Sequence, residues 1–139
     1  MKQSRRELGL LLPALAAMDA MAENSAMPSK TFRFEDLPVK ASGENRQRAV
    51  FDGKTHTGYA LEMHLTELAP GLAPHPPHHH AHEEMILIRE GTMEVTIAGK
   101  TSVLGPGSVA YVASNEEHGW RNVGQTRAHY FVIALGRGA

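Results

Sequence analysis

Residues 74–91 read PHPPHHHAHEEMILIREG, and no other stretch limits the fold as much. Five of the nine histidines lie between His75 and His82, two glutamates follow at once, and an aliphatic run leads to Gly91. Prolines at 70, 74, 76 and 77 strip backbone donors from the approach to the histidines, so this approach is neither helix nor the interior of a sheet. An ordered irregular segment is expected there. Residues 85–88 are aliphatic and too few for a helix of their own, which suits a strand. Arg89-Glu90-Gly91-Thr92 then reads as a turn into a second strand, Met93–Ile97.

In extended chain, alternate side chains share a face. His78, His80 and Glu84 have one parity, so one face can offer two imidazoles and a carboxylate to a single ion. Positions then stay open for water or substrate. His82 has the same parity and is a rival ligand, with His75 in reserve. His79 and Glu83 have the other parity and should point away. The alternative is a solvated histidine-rich loop that binds metals loosely. With no cysteine, the chain has no thiolate metal site, disulfide or cysteine nucleophile. Neither H-E-x-x-H nor H-x-E with P-C-x-x-C occurs, so those two zinc signatures are absent.

The remaining chain reads as short strands punctuated by glycine and proline. Residues 31–34 suit a first short strand with Phe32 and Phe34 on one face, and residues 36–43 suit a loop. Residues 48–51 suit another short strand, ended by the turn pair Asp52-Gly53. Residues 59–68 form a longer strand, with Leu61, Met63 and Leu65 on one face and Ala60, Glu62, His64 and Thr66 on the other. After the hairpin come Ala98-Gly99-Lys100 as a turn, a strand over 101–104, Gly105-Pro106-Gly107 as a tight turn and a strand over 109–112. A polar loop over 114–117 precedes strands over 119–122 and 127–135. Strands of this length and spacing predict an all-β antiparallel sandwich or barrel, of which the jelly roll is one form. A barrel this small encloses one modest cavity at most.

The pattern His78-x-His80-x-x-x-Glu84-x-x-x-x-x-x-Gly91 resembles the first motif of the cupin superfamily. Gly71 stands one residue upstream of the usual motif glycine. Gly105-Pro106-Gly107 followed by His118-Gly119-Trp120-Arg121-Asn122 resembles the second motif, a Pro-Gly turn and then H-x-x-x-N. Together they cover roughly residues 60–135, and they resemble a small single-domain cupin of the conserved-barrel type. The resemblance implies a double-stranded β-helix, or jelly-roll barrel, over residues 59–136. It also implies that His118 completes a metal set with His78, His80 and Glu84. Three imidazoles and a carboxylate suit one divalent Mn, Fe, Co, Ni, Cu or Zn ion, whereas calcium and magnesium prefer oxygen ligands. The family includes dioxygenases with this ligand pattern, such as quercetinase-like enzymes. The expectation is therefore a metal-dependent enzyme of dioxygenase type acting on a small oxygen-bearing organic molecule, with Glu84 as ligand and proton acceptor. The alternatives are an isomerase, decarboxylase or lyase on the same ligands, or a barrel that binds a small ligand or metal without turnover.

Around that site, Trp120 shares parity with His118 and is expected either to wall the cavity or to be core. Asn122 reads as a turn residue. His64 and His129 are candidate cavity residues and His56 a loop residue. Tyr59, Tyr111 and Tyr130 read as strand core or interface before cavity donors. The family habit of pairing through exposed strands implies a homodimer, in keeping with the liability of an unpaired sheet edge.

The chain has 139 residues, 42% of them hydrophobic, enough for one core. A net charge of −1 provides no basic field for nucleic acid. Lys2, Arg5 and Arg6 open the chain, an apolar stretch covers residues 8–18, and Ala20-Met21-Ala22 follows. That is the layout of an export signal over residues 1–22, and Ser4-Arg5-Arg6 resembles the twin-arginine kind; the alternative is an amphipathic N-terminal helix docked on the barrel or on a partner subunit. A periplasmic or secreted location is expected if the signal is used, and a cytoplasmic one otherwise, with no membrane association after its removal. Residues 23–58 are expected to be a linker and edge strands.

Overall fold

A computed structural model describes residues 25–137, so the expected export segment lies outside the described residues. Nine strands and one 3-10 turn, Phe34–Asp36, make up the regular structure of this part. The strands are β1 (Val39–Ser42), β2 (Asn45–Lys54), β3 (Ala60–Leu68), β4 (Glu83–Glu90), β5 (Met93–Ile97), β6 (Lys100–Leu104), β7 (Val109–Val112), β8 (His118–Asn122) and β9 (Ala128–Leu135). They form two antiparallel sheets, one in the order β1-β2-β3-β9-β4-β7 and one in the order β6-β5-β8. This is the all-β jelly-roll architecture expected from the strand spacing.

Alternation of burial shows which faces meet. Along β9, Ala128, Tyr130, Val132 and Ala134 are buried while His129, Phe131, Ile133 and Leu135 are half-exposed. On β4, Glu84, Ile86 and Ile88 point in, and Met93 and Val95 on β5 meet them from the smaller sheet. Each fully buried aliphatic side chain contributes about 1.5–3 kcal/mol through removal from water. The interior is not uniform. Leu68, Ile88, Met93 and Ala128 are sealed and apolar, whereas Glu62, Glu84 and His118 are buried polar groups. That polar interior is where chemistry can be placed.

The N-terminal third departs from the sequence-based expectation. Residues 31–34 are not a strand; Phe32 packs on Phe51 with ring centroids 5.8 Å apart, and the Arg48 guanidinium lies 4.4 Å over the Phe34 ring. The segment therefore lies against the outer face of the large sheet. Residues 39–42, expected as loop, pair with β2 in full register from Val39–Arg48 to Ser42–Asn45. The pair Asp52-Gly53 does not turn the chain. β2 runs through it to Lys54, and the turn falls at residues 55–58, with His56 inside it. Gly53 stays in the strand by pairing with Leu61 of β3, and it is glycine where Met27 packs in place of a side chain, 2.7 Å from an ideal Cβ.

Candidate metal centre

Four side chains from three separate pieces of chain converge. The donor atoms of His78, His80, Glu84 and His118 all lie within 4.8 Å of one another. Glu84 comes from β4 and His118 from the first position of β8, so these two are carried by facing sheets. His78 and His80 come from the proline-rich segment, which is not a strand. His78 reaches the site through one isolated bridge to His118, with N–H to O distances of 3.0 Å and 2.9 Å. The Asn115 N–H donates to the His80 carbonyl at 2.8 Å and holds the next part of the segment. Parity had grouped His78, His80 and Glu84 as one strand face; the convergence instead comes from this tethered loop.

The hydrogen bonds fix how the imidazoles present themselves. His118 Nδ1–H donates to the Glu116 carbonyl at 2.9 Å, and His80 Nδ1–H donates to the His82 carbonyl at 2.8 Å. A carbonyl only accepts, so both protons sit on Nδ1 and each Nε2 lone pair is left facing inward. Those Nε2 atoms stand 3.0 Å (His80) and 3.1 Å (His118) from Glu84 Oε2, which is also an acceptor. His78 Nε2 is buried and has no hydrogen-bond partner among the described residues. Acceptors pressed together in a buried site carry a large cost unless a cation answers them. Extra protons are a poor answer at His78. Burial, reinforced by the neighbouring imidazoles of His75, His118 and His80, lowers its pKa to about 4. The chemistry of the donor set fits a divalent transition-metal ion: neighbouring donors on such an ion stand about 3 Å apart at bond lengths of about 2.1 Å, as the His80 and His118 Nε2 atoms stand 3.0 Å and 3.1 Å from Glu84 Oε2.

The centre opens into a cavity of about 430 Å³. Trp120 lines it, and its ring stacks on His118 at 5.6 Å while its Nε1–H donates to Tyr130 Oη at 2.9 Å. It is at once cavity wall and core. Tyr130, also a lining residue, has its pKa raised by burial. His75 and His82 line the cavity outside the converging set; His75 stacks on His78 at 4.0 Å and His82 on His80 at 3.5 Å. Burial, with a smaller contribution from His80, lowers the pKa of His82. His79 is exposed.

His64 lines the cavity from β3. His129 does not: it sits on the opposite face of β9, 3.9 Å from Glu67 and 3.7 Å from Glu90. Tyr111 is exposed and donates to Glu83 at 2.8 Å, which raises its pKa, and Tyr59 is exposed. Asn122 is buried and structural. Its Nδ2 donates to the carbonyls of Leu68 and Thr126, and its Oδ1 accepts from Gly124 N–H.

Two contributors escaped the sequence. Lys40 and Gln47 line the cavity from the β1–β2 hairpin, and the hairpin is pinned there by Asn45, whose Nδ2 donates to the Ala73 carbonyl. The strand β1 is only four residues long and all four are exposed, so no buried face marks it. The other is Glu62, a buried carboxylate beside His64, for which the only sequence signal is a shared parity on β3.

Comparison with known proteins agrees with this architecture. The family model described as "Cupin domain" matches residues 64–134. No curated protein matches the chain. Among solved structures, an RmlC-like cupin from Shewanella frigidimarina is 22% identical, with a TM-score of 0.64 over 78% of this chain and 92% of that one. The polyketide cyclase RemF from Streptomyces resistomycificus is 23% identical, with a TM-score of 0.65 over 78% and 80%. A predicted oxalate decarboxylase from Thermotoga maritima is 18% identical, with a TM-score of 0.62 over 76% and 98%. At these identities the likeness is one of fold.

Proposed function

The chain belongs to the cupin domain family, and from that premise we propose that it is a metal-dependent enzyme acting on a small oxygen-bearing organic molecule. One divalent transition-metal ion is held by His78, His80, Glu84 and His118. The observation that carries this reading is the buried, partnerless His78 Nε2 beside two further Nε2 lone pairs and the Glu84 carboxylate. When bound, the ion supplies Lewis acidity and coordination positions for a substrate oxygen. The protein residues do the rest. The Glu116 and His82 carbonyls hold the imidazole tautomers. The ring of Trp120, edge-on to His75 and stacked on His118, walls the site and excludes water from one side. Glu84 is placed to accept a proton as well as to hold the ion.

Two reaction classes fit such a site. Dioxygenase chemistry needs open positions beside four protein ligands, which this set leaves on a six-coordinate ion. A lyase, decarboxylase or cyclase reading is favoured by the likeness to RemF and to the predicted oxalate decarboxylase. The test is a screen of metal-loaded and metal-free protein against small hydroxy- and oxo-carboxylic acids and phenols, with O₂ uptake followed alongside product formation. Metal-dependent turnover with O₂ consumption supports the dioxygenase class, and turnover without it supports the second. Metal-loaded protein inert to every compound would reduce the account to a binding barrel.

A further inference from the structure

The geometry points to a second reactive element in the same cavity. We infer that His64 is a proton acceptor for the bound molecule and that Glu62 is its positioning residue. This inference rests on the proposed function only in expecting the substrate to bridge from the metal centre to His64.

Glu62 Oε1 accepts a hydrogen bond from His64 Nδ1–H at 2.7 Å. Their side chains are only 9% and 15% exposed, so the pair is held inside the barrel rather than in solvent. A carboxylate accepts and does not donate, so the imidazole proton stays on Nδ1 and Nε2 keeps its lone pair. That Nε2 has no hydrogen-bond partner among the described residues and is not among the sealed polar atoms, and His64 lines the cavity. A cavity-lining histidine with one nitrogen held by a carboxylate has the other left for a molecule in the cavity. The other Glu62 oxygen, Oε2, is buried without a hydrogen bond, and the Arg137 guanidinium stands 3.6 Å away. Arg137 thus places a positive charge beside the carboxylate on the side away from His64.

Strand register relates this pair to the metal centre. Glu62, Ala134 and Glu84 occupy one row across β3, β9 and β4, and His64, Val132 and Ile86 occupy the next. Two strand spacings separate the carboxylates, about 10 Å between backbones. The residue between them is alanine, whose short side chain keeps the floor open. The charged groups around His64 are Glu62 on its own strand, Arg46 on the neighbouring β2, Arg137 after β9, Glu84 on β4 and Lys40 on β1; Gln47 and Ala49 of β2 add no charge.

The step is a proton transfer. An O–H or acidic C–H bond of the substrate breaks, its electron pair stays on that oxygen or carbon, and the proton forms a bond to His64 Nε2. The resulting imidazolium faces the Glu62 carboxylate, which stabilises it, and the same proton returns to the product side in the reverse transfer. The substrate class is thus a molecule that carries an ionisable hydroxyl or acidic C–H next to an oxygen that can reach the metal centre.

Acetohydroxamic acid tests this, because it loses its O–H proton when it chelates a metal. It is titrated calorimetrically into zinc-loaded protein near pH 8 in buffers of different ionisation enthalpy, which counts protons released. The wild type is expected to release about one proton fewer than His64→Gln, with Glu62→Gln shifted toward His64→Gln, because the imidazole keeps the proton. Equal release from all three proteins at equal zinc content overturns the inference. If the wild type takes up no zinc, the metal reading fails, and ¹⁵N spectra of the imidazoles in metal-free protein judge the pair alone. His64 is expected as the Nδ1–H tautomer, moving toward Nε2–H in Glu62→Gln. A wild-type His64 already in the Nε2–H form overturns the inference.

Discussion

His78 and His118 exchange both of their main-chain hydrogen bonds, His78 N–H to His118 O at 3.0 Å and His118 N–H to His78 O at 2.9 Å. Two candidate ligands from distant motifs are thus tied to one another by backbone. Their rings follow, with centroids 4.8 Å apart. A candidate centre tied in this way is expected to be assembled without metal.

The first prediction concerns this tether. In metal-free protein the amides of His78 and His118 should exchange with solvent at least tenfold more slowly than those of the exposed turn at 55–58, because each sits in a paired bridge. Hydrogen exchange read by NMR measures this. Exchange as fast as in that turn would mean the ligands are organised by the ion instead.

Asn122 should matter for folding rather than for metal. Its side chain is wholly buried and makes three hydrogen bonds that join the ends of β3 and β8 to the loop before β9. Asn122→Ala leaves buried carbonyls unpaired, at about 1–3 kcal/mol for each group so exposed. Urea unfolding should show a loss of about 3 kcal/mol, while zinc stoichiometry in the folded protein is unchanged. A loss below about 1 kcal/mol would contradict a structural clasp.

Gly91 is required twice over. Its φ is +88°, and a Cβ there would stand 2.8 Å from the Ala128 Cα and 2.9 Å from its Cβ. Gly91→Ala should destabilise by about 2 kcal/mol or more, through backbone strain and a contact that cannot relax without moving β9. Gly105→Ala is the comparison, since its backbone is not left-handed and an added Cβ meets nothing within 4 Å. Thermal melts of the two variants should differ clearly; equal melts would refute the contact.

The metal-free protein should lose stability in mild acid. His78 has its pKa lowered to about 4, first by burial and then by the neighbouring imidazoles, against 6.5 in the unfolded chain. Between those values the unfolded state binds more protons, so unfolding free energy falls as pH falls from about 6.5 through about 4. Above 6.5 this contribution is fully retained. Urea midpoints of metal-free wild type and His78→Gln at pH 7 and pH 5 check the sign. The wild type should lose more between the two pH values, and parallel losses would contradict it.

How much of this could be read from the chain depends on what each residue is packed against. β3 and β5 to β8 were legible because their apolar residues alternate or their turns carry glycine, as at Gly99 and Gly107. The ligand types and spacings were legible in the two motifs. The β1–β2 hairpin was not, since an edge strand with both faces in solvent carries no burial pattern. Gly53 looked like a turn because the close approach of Met27 cannot be seen in sequence. His129 was hard to orient because β9 is apolar on both faces, Phe131 and Ile133 facing outward as Tyr130 and Val132 face in. Parity put Glu62 and His64 on one face of β3, but their place in the same row as Glu84 needed a register across three strands, a relation between distant residues that no local pattern records.

The central claim is that His78, His80, Glu84 and His118 hold one ion. Elemental analysis of the purified protein, with His118→Ala alongside, tests it most directly. The account predicts about one equivalent of a transition metal per chain in the wild type, and at least a several-fold lower content in a folded His118→Ala variant. Equal metal in both proteins, or none in the wild type even after reconstitution, would contradict it.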